Sequence, residues 1–132
     1  MINTKLLMIS SAIMMALVGI SMTFLPNEII NYLDQSSTKF FPIILQLLGA
    51  TYFAFAMLNW MAKENIIGGI YNRPIAIGNF THFLIGGLAL IKLVFANQEM
   101  IFLWIASIVY LLFTLSFGLV LFKHPLKSDN DK

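Results

Sequence analysis

The chain of 132 residues is long enough for one domain, is 59% hydrophobic and contains only 11% charged residues. Soluble domains are about 45–50% apolar and about 25% charged, so a water-soluble fold of this composition would expose much apolar surface and aggregate. The net charge of +2 comes from scattered basic residues without interleaved aromatic side chains, which excludes a nucleic-acid interface. The absence of cysteine excludes a disulfide framework, a thiol redox centre and iron–sulfur ligation.

Four apolar stretches are long enough to cross a membrane as helices, because a spanning helix needs about 20 mostly apolar residues. They cover residues 6–25, 42–62, 74–95 and 100–122. The prolines support these limits, since proline is tolerated in the first turn of a helix and just beyond its end. Pro42 and Pro74 open the second and third stretches, while Pro26 and Pro125 follow the first and fourth.

The first stretch starts close to the N-terminus, where a cleaved signal peptide would also place an apolar run. Its length of about 20 residues exceeds the apolar part of a typical signal peptide, which is about 7–15 residues long. We therefore expect this stretch to remain as an anchor. The sequence predicts an all-α integral membrane protein in which residues 1–122 form a four-helix transmembrane bundle.

Charged residues at the ends of the spans predict the orientation of the chain. With four spans, both termini and the loop between the second and third spans share one side of the membrane. The basic residues on that side are Lys5, Lys63, Arg73, Lys123, Lys127 and Lys132. The other side has only Lys39 and Lys92, and positive charge stays in the cytoplasm. We predict cytoplasmic termini in a bacterial inner membrane, with Trp60 and Trp104 anchored at the inner and outer interfaces.

The segments between the spans are short. In the first outer loop, residues 27–33 have apolar side chains at helical spacing, which predicts a short surface helix capped by Asn27. The cytoplasmic loop of residues 63–73 is apolar and is predicted to dip into the membrane interface. The loop of residues 96–99 is so short that the third and fourth spans must be antiparallel neighbours. The tail of residues 123–132 is polar, cytoplasmic and predicted to be disordered.

Small residues follow one face of each span, and small residues let helices approach closely in lipid. The predicted contact stripes contain Ala12, Ala16, Gly19 and Thr23 in the first span, Ala50 and Ala54 in the second, Gly78, Gly86 and Ala89 in the third, and Ser107, Thr114 and Gly118 in the fourth. We interpret these stripes as surfaces for helix packing.

Polar residues within the spans form a candidate ligand-binding site. They are Asn59, Asn79 and His82, with Tyr52, Tyr110 and Thr114 as lining. Asn79 and His82 are three residues apart and share a helix face, and Asn59 lies at a similar depth to Asn79. Histidine exchanges protons near neutral pH, and asparagine can hold a carbonyl or a lipid headgroup. The alternative is that these groups hydrogen-bond to one another or to backbone carbonyls and fix the helix register.

No aspartate or glutamate lies deep in any span, whereas proton-coupled carriers usually need an intramembrane carboxylate. The pattern therefore disfavours small four-helix multidrug exporters, which rely on a glutamate in the first helix. It also disfavours small dimeric fluoride channels, whose glycine–arginine pattern is missing. His82 and His124 lie at different depths and form no ligand pair. We predict no catalytic residue, no metal site and no cofactor.

The first span ends in Phe24-Leu25-Pro26, a short amphipathic segment follows, and residues 48–54 of the second span read LGATYFA. In this layout the chain resembles small four-helix bacterial membrane proteins of the DoxX-like kind. The resemblance covers most of the chain as architecture, and it implies a link to redox or stress physiology for some members. It assigns no functional residue, and the lack of cysteine disfavours a thiol-based role.

Two functional hypotheses remain. The first is a non-enzymatic membrane protein that binds a lipid-like or other apolar ligand, or a membrane partner, in addition to the bilayer. The second is a subunit of a small-molecule transporter or channel that works as a homo-oligomer, because four short helices enclose little space. A closed pocket within one chain would favour the first hypothesis, and a continuous polar path would favour the second.

Overall fold

The computed structural model describes residues 3–33, 38–65, 67, 69 and 71–123. Those residues form five helices: α1 (Thr4–Phe24), α2 (Pro26–Tyr32), α3 (Phe41–Ala62), α4 (Arg73–Ala96) and α5 (Ile101–Lys123). Four of them, all except α2, are long and apolar enough to cross a membrane. The predicted all-α fold with four spanning segments is therefore confirmed. Each long helix begins and ends within two residues of a predicted span.

Proline lies in the first turn of α2, α3 and α4. The first N–H groups of a helix have no partner within the helix, so proline removes no hydrogen bond there. The helix α2 starts at Pro26 after Leu25, and no side chain caps it. The predicted cap at Asn27 is wrong, because Asn27 is the second residue of α2 and lies inside the helix.

Two predictions fall on residues outside the described part of the chain. The tail beyond Lys123, with Pro125 and His124, is one of them. The other is the dip of the cytoplasmic loop, in which residues 66, 68 and 70 are not described. Both stay predictions.

Contacts divide the chain into two compact units. The N-terminal unit is Met8–Lys63, and the C-terminal unit contains residues 1–7 together with residues 64–132. In the C-terminal unit the ammonium group of Lys5 lies 2.8 and 3.0 Å from the two carboxylate oxygens of Glu64. Both side chains are more than half exposed, so this ion pair contributes at most about 1 kcal/mol to stability.

In the N-terminal unit, α1 and α3 are antiparallel and cross where each has its single glycine. A Cβ atom added to Gly19 would lie 2.8 Å from the Gly49 carbonyl oxygen and from the Phe53 amide nitrogen. The two backbones are thus in direct contact, which only glycine permits. The predicted stripe of Ala50 and Ala54 on α3 is wrong, because both are exposed while Gly49 on the adjacent face is buried.

In the C-terminal unit, α4 and α5 pack as antiparallel neighbours, as their short connection predicted. An aromatic cluster fills their interface. The fully buried ring of Phe83 stacks on Phe113 at 4.8 Å and on Phe117 at 5.8 Å between centroids. Tyr110 meets Phe83 edge to face at 5.2 Å, and Gly86 leaves room for the tyrosine ring. Aromatic stacking therefore holds this pair of helices together.

Hydroxyl groups in the long helices bond to their own helix. Seven of them donate to the carbonyl oxygen three or four residues earlier, over 2.8–3.0 Å. They belong to Ser11, Ser21, Thr23, Thr51, Ser107, Thr114 and Ser116. No buried polar side-chain atom of the described residues lacks a hydrogen-bond partner. This arrangement suits lipid, in which an unsatisfied polar group costs several kcal/mol.

Candidate functional site

An open groove follows one face of the α1–α3 pair in the N-terminal unit. Its wide section has a volume of about 460 Å³ and is lined by Gly19, Ile20, Thr23, Phe24, Ala50 and Phe53. Its narrow section has a volume of about 280 Å³ and is lined by Ala12, Ile13, Ala16, Ala56, Met57 and Trp60. The lining residues of the two sections are related by a step of seven residues along α1. Since seven residues are two helical turns, the sections follow one another on the same face.

Small residues create the groove and large ones form its walls. Glycine and alanine in both helices keep the backbones close and leave the space between them unfilled. The wall residues Ile20 and Met57 are each 46% exposed, and Phe24 is 75% exposed, so the N-terminal unit does not itself cover the groove. Within the N-terminal unit the groove is therefore open along both sections.

The groove offers almost no polar chemistry. The Thr23 hydroxyl lines the wide section, but it already donates to the Gly19 carbonyl oxygen at 2.8 Å. The indole N–H of Trp60 is the only side-chain donor in the narrow section. Apart from the Thr23 hydroxyl, the side chains that line the two sections carry no nucleophilic, acidic or basic group. Such a surface can hold an apolar chain.

A positive charge lies at the narrow end of the groove. Lys63 follows α3 as its C-cap residue, and its ammonium nitrogen lies 3.9 Å from the centre of the Trp60 ring. This is a cation–π contact, in which the ring face attracts the ammonium group. Trp60 therefore walls the groove and also positions the lysine.

A buried polar contact joins the two helices that form the groove. The Asn59 amide donates to the Ser11 hydroxyl oxygen at 3.0 Å and contacts the Met15 sulfur at 3.8 Å. Asn59, Ser11 and Met15 are all fully buried. The Ser11 hydroxyl in turn donates to the Met8 carbonyl oxygen. Because these bonds form at one alignment of α1 and α3, they fix the register of the pair.

The structure places the other predicted site residues on three helices. Thr114 donates to the Tyr110 carbonyl oxygen at 2.8 Å, and the Tyr110 hydroxyl lies 3.4 Å from His82 Nε2. His82, Tyr110 and Thr114 thus come together between α4 and α5. Asn79, one turn before His82, donates to the Ile75 carbonyl oxygen at 2.9 Å. Tyr52, like Asn59, belongs to α3 and the N-terminal unit.

The Tyr110 hydroxyl and His82 Nε2 form a polar contact within the α4–α5 interface. Which group donates depends on the histidine tautomer. Among the described residues, no three histidine, aspartate or glutamate side chains are grouped as metal ligands. Together, the His82 ring and the Tyr110 hydroxyl can form one further hydrogen bond. A ligand-binding role for the six predicted residues stays a prediction.

Comparisons of the chain with models of protein families, with curated proteins and with solved structures gave no match. The finding is a small membrane protein with four spanning helices. The DoxX-like layout remains a resemblance in architecture.

Sequence reasoning missed Ser11, Gly49 and Lys63 as residues of one region. The single glycine in each of α1 and α3 indicated a close approach of the two helices, and this could have identified Gly49. The signal for Ser11 was the need of Asn59 for a partner in an apolar surrounding. The signal for Lys63 was its spacing of three residues from Trp60, which brings both side chains to one helix face.

Proposed function

We propose that this protein is a non-enzymatic protein of a bacterial inner membrane that binds a lipid, with one acyl chain held in the α1–α3 groove. The observation that carries the proposal is the groove itself, an apolar cleft with sections of about 460 and 280 Å³ that is open where the sequence led us to expect a closed pocket. The wide section alone has the size of a small-molecule pocket, which is about 300–1,000 Å³.

The shape of the groove supports binding because it does not depend on flexible side chains. Gly19 and Gly49 hold the backbones of α1 and α3 together, and Asn59 and Ser11 fix their alignment. A preformed site loses little conformational entropy when a ligand binds, which favours affinity. In a membrane, the apolar ligand at highest concentration is the acyl chain of a lipid.

The orientation of the chain is part of the proposal. The excess of basic residues at one end of the spans supports cytoplasmic termini, and the DoxX-like layout supports a bacterial inner membrane. In this orientation the narrow section, which ends at Trp60 and Lys63, lies in the cytoplasmic leaflet. The wide section then lies in the outer half of the membrane.

Native mass spectrometry of the protein extracted in mild detergent tests lipid binding. Ala50→Phe places a phenyl ring in the wide section and should reduce the lipid-bound fraction several-fold. Ala54→Phe is the matched control, because Ala54 is exposed one turn further along α3 and does not line the groove. Circular dichroism should show the same helix content for both variants.

The second location for a ligand is the polar contact between α4 and α5, which His82→Ala removes. If the groove is the site, His82→Ala binds as much lipid as the wild type. The proposal is wrong if Ala50→Phe and Ala54→Phe retain equal amounts of lipid. Loss of lipid from His82→Ala alone would move the site to the polar cluster around His82 and Tyr110.

A further inference from the structure

We propose that the bound lipid is an anionic phospholipid whose phosphate is held by Lys63 while its acyl chain lies in the α1–α3 groove. This inference rests on the proposed function, because it names the headgroup of a lipid that the groove must first bind. The observation behind it is the contact of Lys63 with Trp60, a residue that lines the narrow section.

The position of the ammonium group is fixed at the groove end. Its nitrogen lies 3.9 Å from the Trp60 ring centre, so the flexible lysine side chain is held against the groove wall. An ammonium group has three N–H donors and no acceptor. The contact with the ring face leaves donors that can reach phosphate oxygens, and a half-buried cation meets an anion at lower entropic cost than a mobile one.

The charge of Lys63 has no carboxylate partner among the residues that the structure describes. Glu64, the next residue in sequence, is bound to Lys5 through both carboxylate oxygens. Across the described residues, no carboxylate lies within ion-pair distance of Lys63. The groove therefore ends at a positive charge that an anionic headgroup would complement.

The aromatic ring also disfavours a choline headgroup. Choline is commonly recognised by a cation–π contact with an aromatic face. Here the face of Trp60 already carries the Lys63 ammonium. The quaternary ammonium group of choline would have to displace the lysine or lie close to its positive charge. A phospholipid whose headgroup carries no cation meets neither obstacle.

The length of the groove agrees with one acyl chain. Ala50, which lines the wide section, lies 13 residues before Lys63 in sequence. At about 1.5 Å per helical residue this is about 20 Å. Half of the hydrocarbon core of a bilayer is about 15 Å thick. A chain that starts at a headgroup beside Lys63 therefore covers the narrow section and extends into the wide section, and ends about 5 Å short of the level of Ala50.

The test uses the full-length protein in nanodiscs of equimolar phosphatidylglycerol and phosphatidylcholine with identical acyl chains. After release into the mass spectrometer, the ratio of the two bound lipids is measured. One lysine near a membrane surface favours an anionic lipid by about fivefold. We expect an enrichment of about that size for the wild type and for Lys63→Arg. Lys63→Gln should bring the ratio to about one.

Lys92→Gln is the matched control, because Lys92 is an exposed lysine at the far end of α4 and should leave the ratio unchanged. Equal binding of both lipids by the wild type, with both lost in Ala50→Phe, would overturn the headgroup assignment and leave the groove proposal standing. Lipid retained in full by Ala50→Phe would overturn the groove proposal itself. A lipid-free dimer that Ala50→Phe separates would show that a second copy of the chain fills the groove, against both proposals.

Discussion

Replacing Gly19 with alanine tests the contact between the backbones of α1 and α3. The new Cβ atom would lie 2.8 Å from the Gly49 carbonyl oxygen and 2.8 Å from the Phe53 amide nitrogen. Both neighbours are backbone atoms, so no change of side-chain rotamer can relieve the clash. Ordinary contact begins near 3.4 Å, and the two helices must therefore separate by about 0.6 Å.

A separation of this size removes about a quarter to a half of the dispersion energy between contacting atoms of α1 and α3. Overpacking of this kind costs about 1–3 kcal/mol, while alanine gains at most about 1 kcal/mol over glycine in helix propensity. We expect Gly19→Ala to lower the free energy of unfolding by about 1–2 kcal/mol. Titration with sodium dodecyl sulfate in mixed micelles, followed by circular dichroism, measures this difference.

Gly87→Ala is the matched control for this substitution. A Cβ atom on Gly87 would lie 3.5 Å from the Cβ atom of Tyr110, which is an ordinary contact. That variant should be as stable as the wild type or slightly more stable, because it gains helix propensity without a clash. If Gly19→Ala proves as stable as Gly87→Ala, the backbones of α1 and α3 are not in direct contact at Gly19.

Two further predictions use the same unfolding assay. In Gly86→Ala the new Cβ atom would lie 2.6 Å from a ring carbon of Tyr110. We expect this substitution to lower the free energy of unfolding by about 1–2 kcal/mol. The loss should be much smaller when Gly86→Ala is made in a Tyr110→Leu background, because the ring is then absent. An equal loss in both backgrounds would mean that the tyrosine ring is not the obstacle. A double-mutant cycle of Ser11→Ala and Asn59→Ala should give a coupling of about 0.6 kcal/mol and at most about 1.7 kcal/mol. Strict additivity of the two substitutions would count against their hydrogen bond.

The sequence was sufficient to locate the spanning helices. Length and hydropathy set the number of spans, and Pro42 and Pro74 marked where two of them begin. These signals depend only on neighbouring residues, because a helix in lipid satisfies its backbone within its own segment. The cap of α2 was not predictable in the same way, since Pro26 starts that helix one residue before Asn27 and needs no side-chain cap.

The faces of the helices were harder to predict than their limits. A soluble helix marks its buried side by a polar face opposite, but a helix that is apolar all round has no such mark. The choice of Ala50 and Ala54 as the packing stripe relied on size alone. The buried small residues of α3 are Gly49, Ala56 and Ala62 instead, and Ala50 lines the groove. Only the pairing of α1 with α3 decides which small residue meets the other helix.

For the polar residues within the spans, the sequence predicted a shared helix face but not the partners on other helices. The spacing of Asn79 and His82 placed them on one face of a helix, and the structure adds that His82 meets Tyr110 across the α4–α5 interface at 3.4 Å. Asn59 was chosen for its depth, but its partner Ser11 is 48 residues away in sequence. Contacts over such separations depend on which helices become neighbours, and the sequence of one chain does not contain that information locally.

The hydroxyl groups that bond within their own helix have a consequence for the order of events during synthesis. When α1 enters the membrane, the Ser11 hydroxyl already donates to the Met8 carbonyl oxygen, so α1 has no unsatisfied hydroxyl donor at this position before α3 is inserted. Asn59 leaves the ribosome 48 residues after Ser11, which corresponds to about 2–10 s at about 5–20 residues per second. By then its acceptor is in place. The long-range hydrogen bond from Asn59 to Ser11 therefore requires only the later helix to find a partner, and that partner has been in the bilayer for seconds.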